Sequence, residues 1–135
     1  MRKLINLILN SKLLLPFAIL CTLIIGYLSL SDISSFPKLE VKHEDKLYHV
    51  SAYFALNFVW LLAILPFSIK FKRINLMISL GIIVFGIVIE IFQEIITDYR
   101  VFDYYDIAAN SLGVFVSYLC FILLKKEFFE NINPN

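Results

Sequence analysis

In the segment GIVIEIFQEIIT, residues 86–97, Glu90, Gln93 and Glu94 interrupt an otherwise apolar helical pattern. An acid in such surroundings can orient a cation, bind a hydroxyl or amine group, or exchange a proton. Two other segments carry matching chemistry. Asp45, His49, Tyr53 and Asn57 recur every fourth residue, and Asp103, Asp106, Asn110, Gly113 and Ser117 follow alternating steps of three and four. Residues three and four apart share a helix face. The spacing therefore predicts three polar stripes, with Gly86, Glu90, Gln93, Glu94 and Thr97 forming the third, that converge on one polar pocket.

Glu90 is the most constrained of these residues. It lies one helical stretch of about 10 Å before Thr97, at 1.5 Å per residue, which places it below the headgroup level of a bilayer. A carboxyl there must find a partner, take up a proton or face water. Its position near a helix C-terminus is electrostatically unfavourable, whereas Asp45, Asp103 and Asp106 lie at favourable N-terminal ends. Lys46, His49 and Arg100 are the candidate partners at the same end. For Asp103 and Asp106 a helix-capping role competes with a ligand role. Asn110, Gly113 and Ser117 also suit interhelical hydrogen bonding and close packing, and Tyr53 and Trp60 suit packing or interfacial anchoring.

The elements that must position these residues follow from composition. The chain has 135 residues, of which 60% are hydrophobic, and a mean hydropathy of +0.82, too apolar for an ordinary soluble domain. A net charge of +1, with no basic run longer than KFKR, excludes nucleic acid as the partner. Cys21 and Cys120 fall in apolar runs and read as small hydrophobes. With two histidines and no ligand cluster, neither a metal nor a cofactor is expected.

Windows of about 20 apolar residues mark membrane-crossing helices, and four qualify, at about 12–31, 46–69, 74–97 and 104–124. The first follows MRK, exceeds the usual signal-peptide core and lacks a cleavage pattern, so it reads as an uncleaved span. Residues 32–45 form the one sizeable loop. Lys and Arg gather at the ends of the spans opposite to that loop, which places both termini in the cytoplasm. The acids are inverted: Glu127 and Glu130 fall inside and the other nine at the outer end. The expected fold is an all-α, four-transmembrane-helix bundle, a single membrane domain over 1–135 with its polar chemistry on the outer face.

The segments DKLYHVSAYFAL, EIFQ and RVFDYYDIAANSLG, in that order, resemble the VanZ-like family of small bacterial membrane proteins. The family's elements are matched by Asp45, Lys46 and His49, by Glu90 and Gln93, and by Arg100, Asp103, Asp106, Asn110 and Gly113. The resemblance covers about residues 20–124. Two positions depart from it: the family's Pro-Gly before the arginine is Asp98-Tyr99 here, and a frequent second glycine is Ser117. The resemblance implies a multi-pass protein of the bacterial cytoplasmic membrane, whose founding relative is associated with resistance to the glycopeptide teicoplanin.

Three functions remain open on the residues. The preferred one is binding of a charged envelope lipid or lipid-linked cell-wall precursor. Lys46, Arg100 and His49 would meet phosphate, while Gln93, Asn110 and the carboxylates Asp45, Glu90, Asp103 and Asp106 would orient the cations or bind hydroxyl and amine groups. The second is an enzyme acting on such a lipid, with His49, Glu90 and Asp106 as an acid/base set. The third is a structural role, with the stripes as a hydrogen-bonded core and another membrane protein as partner.

Overall fold

In lipid, a long apolar segment can satisfy its own backbone N–H and C=O groups only as a helix or a closed barrel. This chain takes the helical solution. The computed structural model describes residues 11–31, 44–68, 73–97 and 101–132. Five helices appear among them, α1 (Ser11–Leu30), α2 (Glu44–Ala63), α3 (Leu65–Ser68), α4 (Ile74–Ile96) and α5 (Tyr104–Ile132), with no strand among the described residues. The expected loop at 32–45 lies outside the described residues up to position 43.

Among the described residues three helices are long and apolar enough to cross a membrane: α1 over Lys12–Leu30, α4 over Ile74–Ile96 and α5 over Tyr104–Lys126. The chain is a multi-pass helical membrane protein. Its side chains are distributed accordingly. Leu13, Leu23, Val84, Phe115 and Leu123 are exposed, while Asn57, Glu90, Gln93, Asp106, Asn110 and Ser117 are buried. A soluble bundle reverses this pattern.

Helix α2 is less apolar because Asp45, Lys46, His49 and Asn57 dilute it, and it touches α1, α4 and α5 in turn. The expected continuous span at 46–69 ends earlier, at Ala63. The chain turns at Ile64 and resumes as the single turn α3. Pro66 explains the break: it has no N–H for the preceding turn and crowds the helical conformation of its neighbour Leu65.

Helices α2 and α5 run parallel and in register. Lys46 pairs with Asp106, His49 with Asn110 and Asn57 with Ser117, separations of 60, 61 and 60 residues. Gly113 permits the approach. A Cβ there would stand 2.3 Å from the Val50 carbonyl oxygen and 3.0 Å from the Phe54 nitrogen, so the two backbones nearly touch. Below this contact Tyr53, Leu56, Ile82 and Val114 form one apolar cluster, and Leu61, Ile64 and Phe121 a second.

Helix α4 runs antiparallel to α5, with Gly86 beside Asn110 and Glu90 beside Asp103. Helix α1 lies along α4. Gly26 meets Phe85 and Ile89, and Gln93 Nε2 donates to the Ser29 carbonyl at 2.8 Å. Trp60 Nε1 donates to Thr22 Oγ1 at 2.9 Å and ties α1 to α2. Such interhelical bonds average about 0.6 kcal/mol in a membrane.

Two glycines separate close packing from helix propensity. Gly113→Ala should lower stability by about 1–3 kcal/mol, the usual cost of overpacking, because the obstructing atoms are backbone. Gly81→Ala should leave stability unchanged or raise it, since nothing lies within 4 Å of the added methyl. Thermal unfolding in detergent, followed by circular dichroism, reads both.

Candidate functional site

The start of α2 brings Asp45, Lys46 and His49 to one end of the bundle, and the start of α5 brings Asp103, Asp106 and Asn110 against them. The Lys46 ammonium is the hub. It donates to Asp103 Oδ2 at 2.5 Å and to Asp106 Oδ1, and pairs with Asp45 Oδ2 at 2.9 Å. Three carboxylates thus share one cation. Burial grades across them: the Asp45 side chain is 59% exposed, that of Asp103 36% and that of Asp106 12%. The cluster opens at its Asp45 and Asp103 edge and closes at Asp106.

Asp103 serves two masters. Its Oδ1 accepts the Tyr105 N–H at 2.8 Å and its carbonyl accepts the Asp106 N–H at 3.0 Å, which caps α5. Its Oδ2 holds Lys46. Asp103 therefore caps α5 and pairs with Lys46 at once. Asp106 does not cap; its second oxygen faces His49 Nε2 at 3.5 Å.

His49 lies between two partners. Nδ1 sits 3.0 Å from Asn110 Oδ1, an oxygen that only accepts, so the contact is a hydrogen bond in the form of the ring that carries a proton on Nδ1. Nε2 is turned toward Asp106 Oδ2, 3.5 Å away. This arrangement holds the ring orientation and presents one nitrogen to a carboxylate, as acid/base chemistry requires.

Glu90 is 2% exposed, near the C-terminal end of α4. Its Oε1 accepts the Asp103 N–H at 3.2 Å. The bond offsets the unfavourable dipole of α4 with a donor from the start of α5. In a capping box the cap residue's N–H is met by a Glu three residues later in the same helix. Here Glu90 meets it from another helix, and Asp106, which occupies that later position, is left to reach Lys46 and His49.

Several side chains stand elsewhere than the stripes suggest. Gln93 is 1% exposed but bonds the Ser29 carbonyl of α1, away from the Lys46 cluster. Glu94 is exposed on the side of α4. Arg100 lies outside the described residues. Ser117 and Asn57 bond each other at 3.3 Å as interhelical glue. Thr97 closes α4, its Oγ1 donating to the Gln93 carbonyl at 2.5 Å.

Three buried residues escaped the sequence reading of the site. Tyr53 belonged to a stripe but read as packing, although its ring lies against Gly86, as the Asn110 amide does. Asn75 and Ser79 are buried on α4. They continue the Gly86, Glu90, Gln93 and Thr97 stripe toward the other end, with Ile82 between, and that spacing was the available signal. Among the described residues no group of three His, Cys, Asp or Glu side chains could hold a metal ion.

Compared with protein-family models, curated proteins and solved structures, the chain matches none.

Acid should act on this cluster in a defined direction. The Lys46 hydrogen bond, and then the Tyr105 N–H, hold the Asp103 carboxyl below its ordinary value of 3.8. A depressed folded-state value stabilises the fold fully above the unfolded value, and this is lost as pH falls through the folded one. Wild-type stability should therefore decline below about pH 4. In Lys46→Met the three carboxylates repel one another, so that variant should be destabilised at pH 7 and gain stability on initial acidification. Unfolding midpoints between pH 3 and 7 distinguish the two profiles.

Proposed function

We propose that the chain is a VanZ-like protein of the bacterial cytoplasmic membrane that binds a charged envelope lipid or lipid-linked cell-wall intermediate. In this reading α2 is a fourth span, both termini are cytoplasmic, and the Lys46 cluster faces the outer leaflet. The distribution of Lys and Arg supports that orientation. The order of the DKLYH, EIFQ and RVFDYYDIAANSLG elements supports the family, and with it a contribution to glycopeptide resistance.

The observation that carries the binding reading is the ratio, among the described residues, of three carboxylates to one ammonium at the open edge of the bundle. An excess of negative charge beside a low-dielectric interior favours an incoming cation. The part of the ligand that meets this edge is therefore a headgroup amine rather than a phosphate alone, because Lys46 is already committed. Asp106 and Asp103 are its acceptors, and a phosphate, in a lipid that carries one, stays at the headgroup level.

The His49 arrangement favours a second reading, an acid/base enzyme acting on the same lipid with His49, Asp106 and Glu90. His49 Nδ1 is held by Asn110 while Nε2 faces Asp106, which leaves a proton-transfer nitrogen in a partly dry place. In the third reading, a scaffold, the network serves only itself.

Mass spectrometry of the lipids that co-purify with the protein separates these readings. Wild type should retain an amine-bearing lipid, and Asp106→Asn should retain about ten- to a hundredfold less, as expected when a charge-assisted hydrogen bond of about 1.5–3 kcal/mol is lost. Identical lipid sets would sink the binding reading and leave the scaffold. A product formed by wild type but not by His49→Gln would move the assignment to catalysis.

A further inference from the structure

Inward of the ion cluster lies a group that the network does not use. Tyr53, one turn beyond His49 on α2, is 2% exposed, and its hydroxyl has no hydrogen-bond partner. A buried polar group without a partner is costly, and more so where lipid replaces water around the bundle. Such groups in a folded protein point to a water or ligand that meets them.

The position of the hydroxyl narrows the choice. A Cβ placed on Gly86 would stand 2.9 Å from Tyr53 Cε1 and 3.3 Å from Tyr53 Cζ. The same point is 3.3 Å from Asn110 Nδ2. The phenolic end of Tyr53 and the Asn110 amide therefore converge over the one residue of this α4 turn that has no side chain. Asn110 Oδ1 is engaged by His49, so the amide presents its N–H groups on the other side. A buried O–H without a partner and an N–H donor on two side chains that both lie against Gly86 suit a neutral acceptor oxygen. Glu90, one turn along α4, and Asp106, 3.5 Å from His49, make the place hostile to an anion.

We propose that the Tyr53 hydroxyl and the Asn110 amide form the floor of the ligand site and bind a hydroxyl group of the headgroup. The assignment rests on the lipid-binding reading above and specifies its ligand. The amine meets Asp103 and Asp106 at the mouth, and a hydroxyl of the same headgroup reaches Tyr53. The ligand class is an amino-sugar or amino-polyol lipid.

Full-length wild type and Tyr53→Phe in nanodiscs test this with two probes. Glucosaminyl diacylglycerol carries an amine and hydroxyls; phosphatidylethanolamine carries an amine and no hydroxyl. Native mass spectrometry counts the bound lipid. Wild type should prefer the glucosaminyl lipid by about tenfold or more, the size expected when a donor built for a hydroxyl is left unmet by the competitor. Tyr53→Phe should lose that preference and keep its phosphatidylethanolamine. The lipid-free variant should melt at or above the wild-type temperature, because the deleted group had no partner.

A preference that survives in Tyr53→Phe overturns the floor assignment, as does a wild type that binds phosphatidylethanolamine without favouring the amino sugar. The amine reading stands in both cases. A lower melting temperature for lipid-free Tyr53→Phe also overturns it, since the hydroxyl would then serve the fold through an internal water. Wild type that holds neither lipid overturns the amine reading and the floor together.

Discussion

Lys46 ties the start of α2 to the start of α5, and the rest of the polar end follows from that tie. An ammonium shared by Asp45, Asp103 and Asp106 requires both helix starts at one level. Parallel helices at one level keep their register along their length. His49 therefore finds Asn110, and two turns further Asn57 finds Ser117. The register needs the backbones close enough for short side chains to meet. Gly113 supplies that approach against Val50 and Phe54. The ion cluster and the glycine contact constrain the same pair of helices in different ways, one by charge and one by shape.

The interior is polar for a reason particular to membranes. Lipid tails are as apolar as leucine, so apolar side chains gain little by turning inward, and helix association relies on packing and hydrogen bonds. Leu13, Leu23 and Leu123 can face outward at no cost. Asn57, Gln93, Asn110 and Ser117 cannot. Their preference for one another orders α1, α2, α4 and α5 about a common interior, with Trp60 to Thr22 and Gln93 to Ser29 fastening α1. Glu90 shows the same logic with a charge-bearing group. The carboxyl at the end of α4 finds an N–H at the start of α5, and the unfavourable end of one helix meets the favourable end of the next.

Most of the helices were legible because long apolar runs have few alternatives in lipid. The bounds of α1, α4 and the start of α5 fall within a residue or so of the hydropathy windows. The end of α2 was less legible, because the apolar run continues to Ile69 while Pro66 interrupts the hydrogen-bond ladder. Among the polar residues, helical spacing grouped Asp45 with His49 and Asp106 with Asn110 correctly, since spacing fixes a shared face. It grouped Glu94 with Glu90 and Gln93, and there it failed. A face is about 100° wide, and the residue at its margin turned outward. Spacing also says nothing of partners on other helices, which is why the Ser29 carbonyl as the acceptor for Gln93 came only from the fold.

The sequence by itself determined that this chain is helical, that it belongs in a membrane, and that its acids and amides occupy common helix faces. Hydropathy and a period of 3.6 residues are local properties, and they suffice for that much. Only the tertiary structure decided that α2 and α5 are parallel partners, that one lysine gathers three carboxylates, and that Tyr53 ends against Gly86 with its hydroxyl unmet. Those are relations between residues far apart in the chain. They depend on which helices can approach closely, and that is a matter of backbone distance at positions such as Gly113 and Gly86.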